Sequence, residues 1–469
     1  MSLRFNYGHI GMPSRPRAPK DDCGASDDGS VQNSMTTATE VAATTRASSA
    51  FTRQGKVAPD PILSVRDNFL ADPATNKLNL AVGVYRTAEG KPLVLECVQK
   101  AEAKLREETH KGQRFKEYLP PNGMSSFCTA SLKLLLGDTI NLAFDEGRVV
   151  TAQSISGTGG LHLAAKMVAT MMPGATVHLP TPTWPIHPDI FEAVGLKTAE
   201  YPYYDPDTCG LAFEAMLSHL RRIPLGSVVL LHACAHNPTG VDPTHEQWLQ
   251  LALVVEERGL IPLIDAAYQG FASGDVDEDA FGARTLAAIP NIEMITVQSY
   301  SKNLGLYAER AGVVSLVLND ADVAESARET LNRIIRLTHS SPPQHGASIV
   351  STILNDAGLT ALWKREVKGM AERLLEMRTC LAASLARVSC PPPVGTSLTS
   401  WRHVTDQRGM FTYTGLTPEQ VDMLRQVQLP STPIRSLRCP WIPFAEPLPT
   451  RVRCTTCTCQ RTGVCAWRR

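Results

Sequence analysis

The chain has 469 residues, 43% of them apolar and 20% charged, with 46 basic and 46 acidic side chains. Balanced charge excludes a general nucleic-acid or polyanion binder, which needs a basic excess, and no run approaches the roughly 18 unbroken apolar residues of a membrane span. What remains is a globular α/β protein of two or three domains, with enough apolar residues to bury a core.

Residues 1–50 are rich in Ser, Thr, Ala, Gly and Asp and show no apolar period. Arg4, Arg15, Arg17 and Lys20 precede any acid, in the manner of a transit peptide, and Asp21, Asp22, Asp27 and Asp28 then break that pattern. Two readings stand side by side: an organellar (plastid or mitochondrial) leader, or a disordered tail on a cytoplasmic protein. Cys97, Cys128, Cys209 and Cys234 lie in apolar segments and read as buried, reduced thiols.

From Val57 to about Arg425 the pattern is that of a packed protein. Ser227–His232 (SVVLLH), Leu260–Ile264 (LIPLI) and Met294–Val297 (MITV) read as strands, and Glu246–Glu257 (EQWLQLALVVEE) as an amphipathic helix. Strands alternating with helices imply a parallel sheet covered on both faces, with ligands at the strands' carboxyl ends. Thr360–Leu385 reads as a long helix opening a smaller domain, and Gly409–Gly415 (GMFTYTG) as a strand of that domain.

Four loops carry chemistry. Thr151–Gly160 (TAQSISGTGG) puts hydroxyls and glycines at a helix start, which suits an anion or an ordinary Ser/Thr cap. In His232–Pro243 (HACAHNPTGVDP) the Asn237 amide can donate into a cleft, or the segment is simply a turn. Asp265 stands at the end of an apolar strand, where a carboxylate needs a cap, a metal or a cation; Tyr268 follows it. Lys302 follows another strand, with Ser299 and Ser301 before it and Arg310 after it. A loop lysine is ordinarily solvated; partly desolvated beside cations, it is a nucleophile suited to a Schiff base. Together these sites describe one ligand with a phosphate, an aldehyde and a basic ring nitrogen, the features of pyridoxal phosphate (PLP).

At these residues the chain resembles the aspartate aminotransferases of the class I, fold-type I family. The resemblance runs from about Val57 to Leu424 through Asn79–Leu95, Lys116–Gly123 (KEYLPPNG), SISGTG, HACAHNPTGVDP, AAYQGFASGD and SYSKNLGLYAER, in the family's order. It implies a large PLP-binding domain (93–369) with a mostly parallel seven-stranded sheet, a smaller α/β domain (51–92 and 370–427) and a divergent tail (428–469). It implies further that Lys302 bonds the cofactor and shuttles the proton, and that Asp265 holds the ring nitrogen protonated. Tyr268 and Asn237 would donate to the phenolic oxygen, and Trp184 would stack on the ring. Ser156, Gly157, Thr158, Ser299 and Arg310 would hold the phosphate. Tyr118 and Arg336 would reach across a homodimer interface, Arg336 to the distal carboxylate of a dicarboxylate substrate, with Gly83 on the gate. No metal, nucleic acid or membrane is expected.

The sequence departs from the family at Pro185 and Ile186 after Trp184, and at Leu337, Thr338, His339, Ser340 and Ser341 after Arg336. After Arg425 the family's arginine strand, which binds the α-carboxylate, has no counterpart except, by rough position, Arg435 or Arg438. Cys454, Cys457, Cys459 and Cys465 are spaced too tightly for a Cys₄ zinc site. The tail therefore reads as foreign to the fold, an out-of-frame or alternatively spliced end, and the expectation is a PLP pocket with weakened transamination. Two alternatives remain: a catalytically impaired PLP binder, and an aromatic or broad-specificity aminotransferase.

Overall fold

The computed structural model describes residues 83–421, together with 65, 67 and 69–73. The readings of residues 1–50, of the tail from 428, and of Arg435, Arg438, Cys454, Cys457, Cys459 and Cys465 lie outside the described residues.

Seven strands form one sheet: β1 (Val149–Ile155), β2 (Thr176–Thr181), β3 (Lys197–Pro202), β4 (Val228–His232), β5 (Ile261–Ala266), β6 (Met294–Ser299) and β7 (Ala311–Val317). Their spatial order is β1-β7-β6-β5-β4-β2-β3. β7 alone runs against its neighbours; the other six are mutually parallel. Strands covered on both faces need no polar alternation, and β4, read as VVLLH, is buried at every position. Val229 and Leu231 join one apolar cluster, and Val228 and Leu230 another. Each such side chain contributes roughly 1.5–3 kcal/mol by leaving water.

Four helices matter for the site: α1 (Ser156–Met171), α2 (His245–Arg258), α3 (Ala321–Thr338) and α4 (Ala357–Arg387). α2 starts at a capping box, in which Thr244 accepts from the Gln247 amide and the Gln247 side chain answers to the Thr244 amide, and it ends at Gly259 in a left-handed conformation. α3 starts on the Asp320 side chain and buries Ala324, Ala327, Leu331, Ile334 and Ile335, one stripe at helical spacing. α4 starts on Asp356 and runs 31 residues without a break, so the domain boundary expected at 369/370 falls inside it.

The strand expected over Gly409–Gly415 does not form among the described residues; only Thr412 carries a bridge assignment. Side chains take the place of a neighbouring strand here. Gln407 Nε2 donates to Tyr413 O (2.8 Å), and Gln407 Oε1 accepts from Tyr413 N (2.8 Å). The Phe411 carbonyl accepts from the Arg378 guanidinium of α4. Backbone groups satisfied in this way leave no ladder to extend. Cys97, Cys128, Cys209 and Cys234 are all buried and unbridged, as their apolar surroundings imply.

Candidate active site

The parallel strands end on one edge, and the chemistry-bearing residues follow them there. Ser156 comes directly after β1, Trp184 after β2, Asn237 after β4, Tyr268 after β5 and Lys302 after β6; Arg310 directly precedes β7.

The first feature is an anion cradle. Ser156 Oγ lies 2.9 Å from Ser299 Oγ and 2.7 Å from Ser301 Oγ, and Arg310 Nη1 donates to Ser301 Oγ at 3.2 Å. A Cβ added to Gly157 would lie 3.3 Å from the Ser299 Cβ. Ser156 is the first residue of α1, and no side chain caps that end, so the capping alternative for the SISGTG segment does not apply. The helix thus presents free amides and the positive end of its dipole to the cradle. Thr158 is exposed on the same turn. Two backbone kinks shape the cradle: Ser156 (φ 58°) and Arg310 (φ 55°) both take left-handed conformations, joined by a Ser156 N to Arg310 O hydrogen bond of 3.0 Å. Gly312 permits this closeness, because a Cβ there would come within 2.8 Å of Gln298 O and the Ser156 backbone. Burial lowers the pKa of the Arg310 guanidinium.

The second feature is a buried carboxylate. Asp265 is 7% exposed and lies 3.3 Å from Nε2 of His187, itself fully buried. Desolvation pushes the Asp265 pKa up, but the hydrogen bond from His187 and the nearby Lys302 ammonium favour the carboxylate, and the net shift is downward. His187 Nδ1 is held by Thr183 Oγ1 at 2.7 Å, and the same hydroxyl lies 3.5 Å from His232 Nε2. Strand register pairs His232 with Asp265 directly. Beyond His232 stands His236, with ring centroids 4.2 Å apart.

Burial drives the His232 pKa down to about 3 and that of His236 well below its ordinary value. Both rings are therefore neutral in the folded protein, whereas the unfolded chain takes up protons near pH 6.5. Acid then favours unfolding: the stability is complete above about pH 6.5 and drains as pH falls toward 3, by roughly 3 kcal/mol at pH 4 for His232. His232→Gln is expected to shrink the difference in urea-unfolding free energy between pH 7 and pH 4 by about that amount. An unchanged difference would contradict this account.

The third feature is Lys302, half-buried, with its Nζ 5.3 Å from the centroid of the Tyr268 ring. Tyr268 is 6% exposed. The Trp184 ring meets His187 edge-on at 5.2 Å, and Asn237 N donates to His232 Nδ1 at 3.4 Å. An amine, an ionised carboxylate and a hydroxyl–guanidinium cradle together match the three polar features of a ring aldehyde bearing a phosphate ester.

Not all the expected residues gather there. Tyr118 is 86% exposed, and Arg336 is exposed, with Nη1 donating to Ser340 Oγ at 3.3 Å. Gly83 packs on Phe411, an added Cβ lying 3.1 Å from Cζ of that ring.

The family model described as "Aminotransferase class I and II" matches residues 75–464. The mitochondrial aspartate aminotransferase of Gallus gallus is 46% identical over 384 residues, 82% of this chain and 88% of that protein. This chain belongs to the class I and II aminotransferases. Its sheet and layering are those of the family's PLP-dependent transferase fold, as the motifs led us to expect. The aspartate aminotransferase from Saccharomyces cerevisiae cytoplasm superposes with a TM-score of 0.76 at 36% identity, covering 81% of this chain and 90% of that one. The aromatic-amino-acid aminotransferase from Burkholderia pseudomallei, solved covalently bound to pyridoxal phosphate, superposes with a TM-score of 0.74 at 39% identity, covering 81% and 92%. The family match continues past Arg425, where the readable motifs stop, into residues outside the described ones.

In this aminotransferase, sequence reasoning missed the parts that depend on register. Ser301 stands out in the sequence only as a neighbour of Lys302, and the line from Thr183 through His187 and His232 joins the loop and short helix (Ile186–Glu192) after β2 to the end of β4. The available signal was the histidine that ends the VVLLH strand, facing the aspartate that ends LID.

Proposed function

We propose that the chain catalyses PLP-dependent transamination, passing the amino group of aspartate to 2-oxoglutarate to give oxaloacetate and glutamate. The carrying observation is the convergence of the half-buried Lys302, the ionised Asp265 and the Ser156–Ser299–Ser301–Arg310 cradle on one sheet edge. When bound, the cofactor supplies an electron sink for the bond broken at the substrate's Cα. Ser156, Gly157, Thr158, Ser299 and Arg310, with Ser301, would hold its phosphate. Asp265, kept ionised with the help of His187, would hold a proton on the ring nitrogen. Lys302 would anchor the aldehyde, and its amine would serve as the base for the proton at the substrate's Cα. Tyr268 and Asn237 would donate to the phenolic oxygen, and Trp184 would cover the ring.

The working unit in this reading is a homodimer with shared sites. Phe115, Tyr118 and Leu337 are 68%, 86% and 81% exposed, apolar surface that a second copy would cover. From there Tyr118 would reach the neighbouring cofactor's phosphate, and Arg336 would grip a substrate's distal carboxylate with its planar fork. Gly83, against Phe411, lies on the gate. An aromatic substrate would leave Arg336 unpaired, so dicarboxylates are favoured.

Borohydride reduction followed by peptide mass analysis tests the chemistry: the cofactor mass is expected on the peptide containing Lys302. Label on another residue, or none, overturns the reading. Comparing kcat/KM for aspartate and phenylalanine tests the substrate class, with aspartate expected to lead.

A further inference from the structure

We propose that Asp242 is a positioning residue for Asn237, its carboxylate fixing the turn from which that amide meets the cofactor. The inference rests on the function proposed above and deepens it, since it names what holds one of the groups placed on the phenolic oxygen.

The turn after β4 is short and bent. Ala235 takes a left-handed conformation at φ 50°, which is strained for a residue with a Cβ. The kink points two successive amides the same way. Ala235 N donates to Asp242 Oδ2 at 2.6 Å, and His236 N donates to Asp242 Oδ1 at 2.9 Å. One carboxylate thus takes both amides just ahead of Asn237. Successive amides of this kind form a concave site for an anion, here filled from within the chain.

The rest of the turn closes around this contact. Gly240 N donates to His236 O at 2.7 Å, and Arg408 N to Gly240 O at 2.6 Å. The His236 ring stacks on Tyr203 at 3.9 Å and is held by Thr239 Oγ1 at 2.9 Å. Gly409 is pressed against Ala235: at φ 81°, a Cβ there would lie 2.5 Å from the Ala235 Cβ. Asn237 is therefore carried by backbone held both by the packing of Gly409 and by the Asp242 carboxylate. Desolvation lifts the Asp242 pKa to about 6 against the pull of the two amides, with the Asp279 charge adding to the rise and Arg408 opposing it, so the carboxylate is still the main form at pH 8.

A carboxylate is needed because both of its oxygens accept. Asn at 242 has the same shape but turns an NH₂ toward one of the two N–H groups, so one contact becomes repulsive. The readout is the pH midpoint of the bound cofactor's absorbance change. A donor on the phenolic oxygen draws charge away from the nitrogen by which Lys302 holds the cofactor and keeps that nitrogen less basic. Asp242→Asn is expected to raise the midpoint by about 1 pH unit, the scale of one lost hydrogen bond to a charged oxygen. Asn237→Ala should raise it too, and in that background Asp242→Asn should add nothing, since the carboxylate acts through Asn237.

An unchanged midpoint in Asp242→Asn, or fully additive shifts, overturns the assignment. Hydrogen exchange of the unmutated protein gives a reading that needs no variant to fold: the Ala235 and His236 amides should be protected, and exchange at the rate of an open loop overturns the proposal. Absence of reducible cofactor from Lys302 in the unmutated chain would sink both this inference and the function beneath it. Label at Lys302 with an unmoved midpoint sinks only the role of Asp242.

Discussion

Lys302→Ala is expected to lower turnover of aspartate with 2-oxoglutarate by at least about 10⁴-fold, because one side chain performs two tasks. In the proposed reaction it would provide the covalent hold on the aldehyde, and it would be the amine that carries a proton between the reacting positions. The rest of the site survives the change. Ser156, Ser299, Ser301 and Arg310 contact one another without Lys302, so the variant should still bind the cofactor through its phosphate. The expected pattern is retained, dialysable cofactor with almost no turnover, read by absorbance and single-turnover assay. Turnover within tenfold of the parent protein would contradict the role of Lys302.

The second large effect concerns stability. Arg378 is 6% exposed in the middle of α4, and its guanidinium donates to the carbonyls of Val404 (2.9 Å), Arg408 (3.3 Å), Gly409 (3.0 Å) and Phe411. Burial pushes its pKa down to about 10, which still leaves it charged at neutral pH. Arg378→Met fills similar volume but strands these carbonyls in the interior. At roughly 1–3 kcal/mol for each unsatisfied group, and with partial relaxation, a loss of about 4 kcal/mol is expected in urea unfolding. Lys should not rescue it, since one ammonium cannot fan out to acceptors on both sides of a bend. A loss below about 1 kcal/mol would show that the loop refolds around the gap.

The legibility of the sequence follows physical lines. β4, β5 and β6 are readable because strands buried on both faces must be apolar throughout. β3, at the sheet edge, reads KTAEYP and carries no such run. The Gly409–Gly415 segment has strand-like residues, but its partners are the side chains of Gln407 and Arg378, which no period reveals. Lys302 and Asp265 stand out because a charge directly after an apolar run needs an explanation. His187 and Thr183 do not, since their meaning depends on which strands lie side by side. Asp242 looked like part of a turn motif, and only the bend at Ala235 shows what its charge holds.

The reversed strand β7 has a consequence for tolerance to change. Lys302 and Arg310 lie on the connection between β6 and β7, whose ends are pinned by the pairing of Ser299 with Gly312. The separation between Lys302 and Arg310, the residues proposed for the aldehyde and the phosphate, is thus gauged by backbone pairing. Surface loops elsewhere should accept insertions freely, whereas a single residue added between 300 and 310 would misalign both ends of the ligand at once.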